Sequence, residues 1–132
     1  MPIPLKIVKK RDPRDITLPV KYYVSTKATW EINFKDLAHK TSEQCTVTKA
    51  DCYAVLIALE ENIKDALSFG QIVRFGTLGS FQISISSHGS ETKEAIGISA
   101  VKSKRILFRP DKRFKLFLKG LSFTKAGFKD WM

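Results

Sequence analysis

Between Thr48 and Ser68 the apolar residues Cys52, Val55, Leu56, Leu59, Ile63 and Leu67 recur at steps of three and four. On a helix that spacing makes one wide apolar stripe, and a stripe of that width must be covered by another layer. The residues Thr48-Lys49-Ala50-Asp51 open the helix with a pattern like a capping box, Asp standing in for Glu, and Gly70 follows its end. At Gln71 the period changes to two. QIVRF, the turn GTLG and GSFQISISS read together as a β-hairpin. A chain that moves from helical to strand periodicity within a few residues must pack helix on sheet, which makes the expected class α+β.

The rest of the chain extends this pattern. Residues 3–10 (IPLKIVKK) and 19–32 (PVKYYVSTKATWEI) are rich in β-branched and aromatic residues, are separated by the loop RDPRDIT, and read as two strands. Asn33 caps a short helix, FKDLAHKTSEQ, in which Phe34, Leu37 and Ala38 have helical spacing. After the hairpin, AIGISAV and KRILF read as further strands beyond the polar segment HGSETKE. Pro110 stands where a helix can start, and DKRFKLFLKG completes a short basic helix ending at Gly120. The final LSFTKAGFKDWM offers no pattern that assigns an element. With 132 residues the expectation is one domain with extensions: an N-terminal β extension over 1–32, a central domain over 33–121 and a tail over 122–132.

Charge narrows the function. Residues 1–40 hold nine basic and four acidic groups, residues 41–70 two and five, and residues 71–132 twelve and four, within a net charge of +10. A cationic half beside a mildly acidic helical half suggests a polyanion-binding face, with nucleic acid favoured over a merely solvated surface or an anionic membrane face. Between Lys102 and Lys125 there are nine Lys or Arg and one acid, Asp111. Lys102 and Lys104 share a face if that stretch is a strand, and Lys112, Lys115 and Lys119 share one if theirs is a helix, giving two adjacent basic ridges suited to phosphates. Arg74, on the first hairpin strand, is a further candidate.

Other chemistries find little support. Cys45 and Cys52 match neither CxxC nor zinc-knuckle spacing, so two ordinary thiols are expected and no metal. His39 and His88 lie on unrelated segments without a serine–acid or metal-like cluster. Gly76-Thr77-Leu78-Gly79 lacks the Gly-Lys-Ser/Thr ending of a phosphate loop and reads as a turn. No catalytic residue, cofactor or small-molecule substrate is expected. No apolar run approaches the roughly 20 residues of a membrane helix, and the N-terminus has no secretory pattern, so a cytoplasmic location is expected. Phe75, Phe81, Phe108, Phe114 and Phe117 crowd into a section that two helices of one chain can hardly cover, which calls for a second copy.

The run from Phe34 to Phe81, two helices and a hairpin closing in Gly79-Ser80-Phe81, resembles the first half of the HU/IHF family of bacterial histone-like proteins. ILFRPDKRFKLFLK resembles the segment that follows that family's DNA-embracing arm, and the strands ahead of Asn33, with KYY, are similar to an extended HU-related branch. The resemblance implies an intertwined homodimer: a helical base, a β-saddle with a protruding arm, and a short C-terminal helix. It implies duplex DNA as partner, bound without sequence preference in the nucleoid. By the same match Lys102, Lys104 and Arg105 fall on the returning arm strand and Arg109, Lys112 and Lys115 at the saddle flank; Arg113 of the basic cluster and Lys93 of the tip segment are further DNA-binding candidates.

The chain departs from that family at the arm. The stretch from Phe81 to Phe108 is shorter than usual, and the tip SSHGSETKEAIGIS contains no proline to wedge between base pairs. Ile96 is taken as its only sizeable apolar residue, and Glu91 and Glu94 oppose phosphates, so smooth bending of DNA is expected. Two other readings remain open at this stage: an HU-like scaffold used for protein interaction with an incidental basic face, and RNA binding through Tyr22, Tyr23 and Trp30.

Overall fold

The structure is a computed structural model and describes residues 2–127. Its elements in chain order are β1 (Ile3–Lys10), β2 (Lys21–Thr26), α1 (Phe34–Gln44), α2 (Lys49–Ser68), β3 (Val73–Phe75), β4 (Gly79–Ser87), β5 (Val101–Pro110), α3 (Lys112–Leu118) and β6 (Phe123–Lys125). The chain divides into two units: Asn33–Phe117, and the terminal segments up to Ile32 and from Leu118.

Both long helices start where their caps dictate. At α1 the Asn33 side chain accepts from the Asp36 N–H at 3.0 Å while the Asp36 carboxylate accepts from the Asn33 N–H at 3.3 Å, a full reciprocal box. At α2 Thr48 Oγ1 accepts from the Asp51 N–H at 3.2 Å, so the side-chain half of the box expected there is made. Cys45 closes α1, its thiol donating to the Thr41 carbonyl at 3.1 Å. Burial pushes the Cys52 thiol up, and neighbouring Cys45 adds to the effect.

The central unit carries a sheet of order β3-β4-β5, antiparallel throughout. Gly76, at φ 56°, takes a left-handed turn position between β3 and β4, and the Leu78 N–H bonds the Phe75 carbonyl at 3.0 Å. At Gly79 a Cβ would stand 2.3 Å from the Arg109 carbonyl oxygen, so only glycine admits this approach of β4 to β5. Because β3 pairs only with Gly79–Phe81, the rest of β4 and β5 runs on beyond it as a two-stranded arm. AIGISAV is not the strand its composition predicts. Ile98–Ala100 form a 3-10 turn, closed by the Ala100 N–H on the Gly97 carbonyl at 2.9 Å, and β5 begins only at Val101. The basic helix starts two residues after Pro110 and ends at Leu118, short of Gly120.

The terminal unit is a second sheet, of order β2-β1-β6. β1 and β2 pair antiparallel from Leu5↔Thr26 to Lys10↔Lys21, and β2 covers less than the run 19–32 predicts. β6 comes from the tail, whose sequence assigns no element, and lies parallel to β1 at Ile3↔Phe123 to Leu5↔Lys125. The sequence KDWM and its preceding Phe128 lie outside the described residues.

The central unit is short of core. Among the described residues only three hydrophobic side chains, Ala38, Cys52 and Leu67, are buried. Along the α2 stripe only Cys52 and Leu67 are buried, Leu56, Leu59 and Ile63 are half-buried and Val55 is 61% exposed. An apolar groove of about 460 Å³ runs between it and the sheet, lined by Leu59, Ile63, Phe75, Phe81, Ile106 and Phe108 among others.

Candidate nucleic-acid interface

Residues opposite one another in a sheet share a face, and neighbours along a strand alternate. The register of β3-β4-β5 therefore sorts its side chains into two sets. One face holds Val73, Phe81 and Phe108 in one row, Ile83 with Ile106 in the next, and Ile85 with Lys104 in a third. Here Phe81 packs on Phe108 with ring centroids 5.0 Å apart, and Phe75 meets Phe81 edge-on at 6.4 Å. The other face holds Arg74, Ser80 and Arg109 in a single cross-strand row, then Gln82 with Leu107, Ser84 with Arg105, and Ser86 with Ser103. The Ser86 and Ser103 hydroxyls hydrogen-bond to each other across the arm.

The sequence-predicted basic residues thus divide. Arg74, Arg105 and Arg109 come together on the polar face, with Arg105 and Arg109 about 13 Å apart at roughly 3.3 Å per strand residue. Lys104 shares the face of Ile106 and Phe108 instead, so it is not part of the same ridge as Arg105. Lys102 is the extra residue of a bulge, since Ser86 pairs with Ser103 and Ser87 with Val101. Lys93 stands in the loop between β4 and β5, away from that row. No periodicity argument distinguishes Arg105 from Lys104 until the register says which of them lies across from Ser84.

The polar face continues into α3. Arg74, Ser80, Gln82, Arg109, Asp111 and Lys112 line one depression of about 300 Å³. Its acid is engaged locally. The Asp111 carboxylate accepts from the Arg113 N–H at 3.1 Å, and the Asp111 carbonyl takes the first helical bond from the Lys115 N–H at 2.9 Å. Asp111 is therefore the cap that starts α3, which suits a carboxylate at a helix N-terminus. On α3 Lys112 and Lys115 lie three apart on one side, while Phe114 and Phe117 stack at 6.1 Å. Arg113 sits about 100° round from Lys112 at 3.6 residues per turn.

Among the described residues no ion pair engages this surface. The ion pairs among the described residues that involve helices are His39–Glu43 at 3.2 Å on α1 and Lys64 with Glu60 at 3.3 Å and Glu61 at 3.8 Å on α2. Among the described residues Arg74, Arg105 and Arg109 make none, so their guanidinium groups keep their donors for a ligand. His39 is thus an exposed helix-surface residue, and the His88 N–H bonds the Ala100 carbonyl at 2.8 Å where the arm strands end. Among the described residues no group of His, Cys, Asp or Glu is placed to hold a metal ion, and no helix is long and apolar enough to cross a membrane.

Sequence reasoning missed two features of this region. The serines and Gln82 of the polar face gave no signal as single residues, yet they alternate with Phe81, Ile83 and Ile85 along β4, and that alternation was visible. At the arm tip, Ile98 was hidden inside a run read as a strand. It is 93% exposed, against 44% for Ile96, because the 3-10 turn swings it outward, and Ile96 is not the tip's only sizeable apolar residue.

Known proteins share both the family and the fold. The profile of the family described as "HU domain fused to wHTH, Ig, or Glycine-rich motif" matches residues 1–125. The structure of HU from Anabaena, from an HU–DNA cocrystal, superposes with a TM-score of 0.53 at 23% identity, covering 67% of this chain and 99% of that one. A protein of Bacteroides vulgatus, described as a candidate bacterial DNA-binding protein, superposes with a TM-score of 0.64 at 15% identity over 95% of this chain. This chain spans 48% of that protein's length. No curated protein matches the sequence. The helix pair, the three-stranded sheet with its arm and the terminal strands all lie within the matched residues, and the chain belongs to this HU-HIG family, with an HU-like α+β fold.

Proposed function

We propose that this protein is a non-enzymatic, architectural DNA-binding protein that grips duplex DNA through its phosphates, as a homodimer and without sequence preference. The observation that carries this reading is the Arg74–Ser80–Arg109 row with Arg105 on the same face, a guanidinium surface free of ion pairs among the described residues and backed by an apolar one. Arginine matches phosphate geometry with paired donors, and contacts to phosphates position a protein on DNA without reading its sequence. Lys112 and Lys115 extend the surface along α3, while Lys102, in the bulge, and Lys104, on the opposite face, add charge to the arm outside that row. The Anabaena relative was crystallised with DNA, which supports the same partner here.

The second copy follows from the missing core. Among the described residues only Ala38, Cys52 and Leu67 are buried hydrophobic side chains, and Phe108, Phe114 and Ile106 of the central unit stay exposed. A closed two-fold pair is the commonest way to cover such surface, and the groove between α2 and the sheet offers an apolar face for it. A nucleoid location follows from the same reading.

The test is a gel-shift titration with random-sequence duplex DNA, single-stranded DNA and duplex RNA at two salt concentrations. Duplex DNA should bind best, and its affinity should fall steeply with salt at a log–log slope of about −0.9 per phosphate contacted. A dissociation constant indifferent to salt, or a clear preference for one sequence, rules the reading out.

A further inference from the structure

The terminal sheet has a basic face of its own. Its register places Lys6 with Ser25, Val8 with Tyr23 and Lys10 with Lys21 on one side of β1 and β2, while Ile3, Leu5, Ile7, Val24 and the single lysine Lys9 with Tyr22 fall on the other. Lys6, Lys10 and Lys21 are exposed, and among the described residues none of the three makes an ion pair. The Lys10 Nζ lies 5.8 Å from the centroid of the Tyr23 ring. None of the paired residues on this face is acidic. Asp12 and Asp15, in the loop that follows β1, turn their carboxylates to local bonds with the Arg14 N–H and the Thr17 N–H, both at 2.9 Å.

Lys10 directly opposite Lys21 is a pairing that a sheet built for stability avoids, because like charges across a ladder repel. A ligand that neutralises both accounts for it. We propose that Lys6, Lys10 and Lys21 form a second phosphate-contacting surface for duplex DNA, separate from the arginine row. The inference rests on the reading of this protein as a duplex binder. Two lysines about 13 Å apart along β1 and a third about 5 Å across the ladder make a flat cationic strip, which suits the phosphate backbone of a duplex, with one charge per roughly 1.7 Å of axis. Single-stranded partners are less well matched. They need several free aromatic faces for stacking, and the one ring on this face, Tyr23, is already covered by an ammonium group.

The experiment measures binding of the full chain to random-sequence duplex DNA by fluorescence anisotropy across about 50 to 200 mM salt. The parent is compared with K6Q/K10Q/K21Q, K6R/K10R/K21R and R74Q/R105Q/R109Q, each checked for an unchanged melting transition. The glutamine set on the terminal sheet should lower the magnitude of the log–log slope by about two to three units, and the arginine replacements at the same sites should restore it. An unchanged slope in K6Q/K10Q/K21Q, beside a lowered one in R74Q/R105Q/R109Q, overturns the second surface and leaves the DNA reading intact. Loss in the K6R/K10R/K21R set as well also overturns it. Absence of duplex binding by the parent overturns both.

Discussion

The two three-stranded sheets of this chain put the same kinds of residue to different structural use. In β3-β4-β5 the apolar side is dense with Phe81, Phe108, Ile83 and Ile106, and the opposite side concentrates its cations as arginines beside serines. In β2-β1-β6 the more apolar side has Ile3, Leu5 and Ile7 only half-buried and ends in the Lys9–Tyr22 pair, and the cations are lysines, one of them facing another. Aromatic rings joined edge and face make a surface that rewards close packing, whereas half-covered aliphatic residues contribute in proportion to a smaller buried area. The rigid fork of arginine fixes geometry at a phosphate, while lysine supplies a mobile point charge. On the proposed reading the first sheet would position a ligand and need a partner, and the second would add attraction.

The largest effect that could break this comparison is on folding. Phe81→Ala should cost about 3–5 kcal/mol, as truncation of a packed aromatic does, whereas Tyr22→Ala, at a residue 65% exposed, should stay within about 0.5 kcal/mol. Thermal melts at two protein concentrations check both, and for the proposed homodimer the parent's midpoint should rise with concentration. A monomeric mass by light scattering, with a melt indifferent to dilution, would falsify the homodimer.

Next in size is the binding side of the contrast. Neutralising Lys112 and Lys115 together should weaken every duplex sequence alike and reduce the magnitude of the salt slope by about two units. Anisotropy titrations over several unrelated duplexes decide this. Selective loss on one sequence would mean that α3 reads bases.

The arm tip sharpens the picture further. Ile98 is 93% exposed in its 3-10 turn and Ile96 44%, so on the proposed reading Ile98 is the better candidate to meet a base step. Energy transfer between the ends of a short duplex should show a modest bend that Ile98→Ala reduces more than Ile96→Ala does. Equal, negligible changes would leave bending to the phosphate contacts alone.

The smallest expected effect lies in the terminal unit. Hydrogen bonds from the Thr17 hydroxyl and N–H hold the Asp15 carboxyl below its ordinary value of 3.8. A carboxylate depressed in the folded state stabilises fully above its unfolded pKa, and that contribution is lost as pH falls through the folded value. Acid melts should therefore show a slight loss of stability below the usual aspartate range, absent in Asp15→Asn. A loss of the same size in that variant would assign it to other carboxyl groups.

What could be read in advance follows how local each determinant is. Asn33 with Asp36 and Thr48 with Asp51 cap their helices through bonds three residues apart, and the stripe from Cys52 to Leu67 has its period written along one segment, so the sequence places α1 and α2 where the structure has them. The turn at Gly76 and the alternation of β4 are local in the same sense, and so is the accumulation of cations after Lys102. Tertiary structure decided the rest. Three residues of tail become β6 only because β1 offers an unpaired edge, and composition within Phe123–Lys125 carries no trace of that partner. Ile98 leaves the ladder because the strands stop pairing at His88 and Ala100, a limit set by the bulge and the loop and not by the β propensity of AIGISAV. Whether Arg105 or Lys104 joins Arg74 and Arg109 depends on cross-strand register, and a shift of one residue would exchange them. Periodicity along a chain specifies which side chains alternate, but the face each one occupies is settled by what packs across the strand, here Phe81 against Phe108.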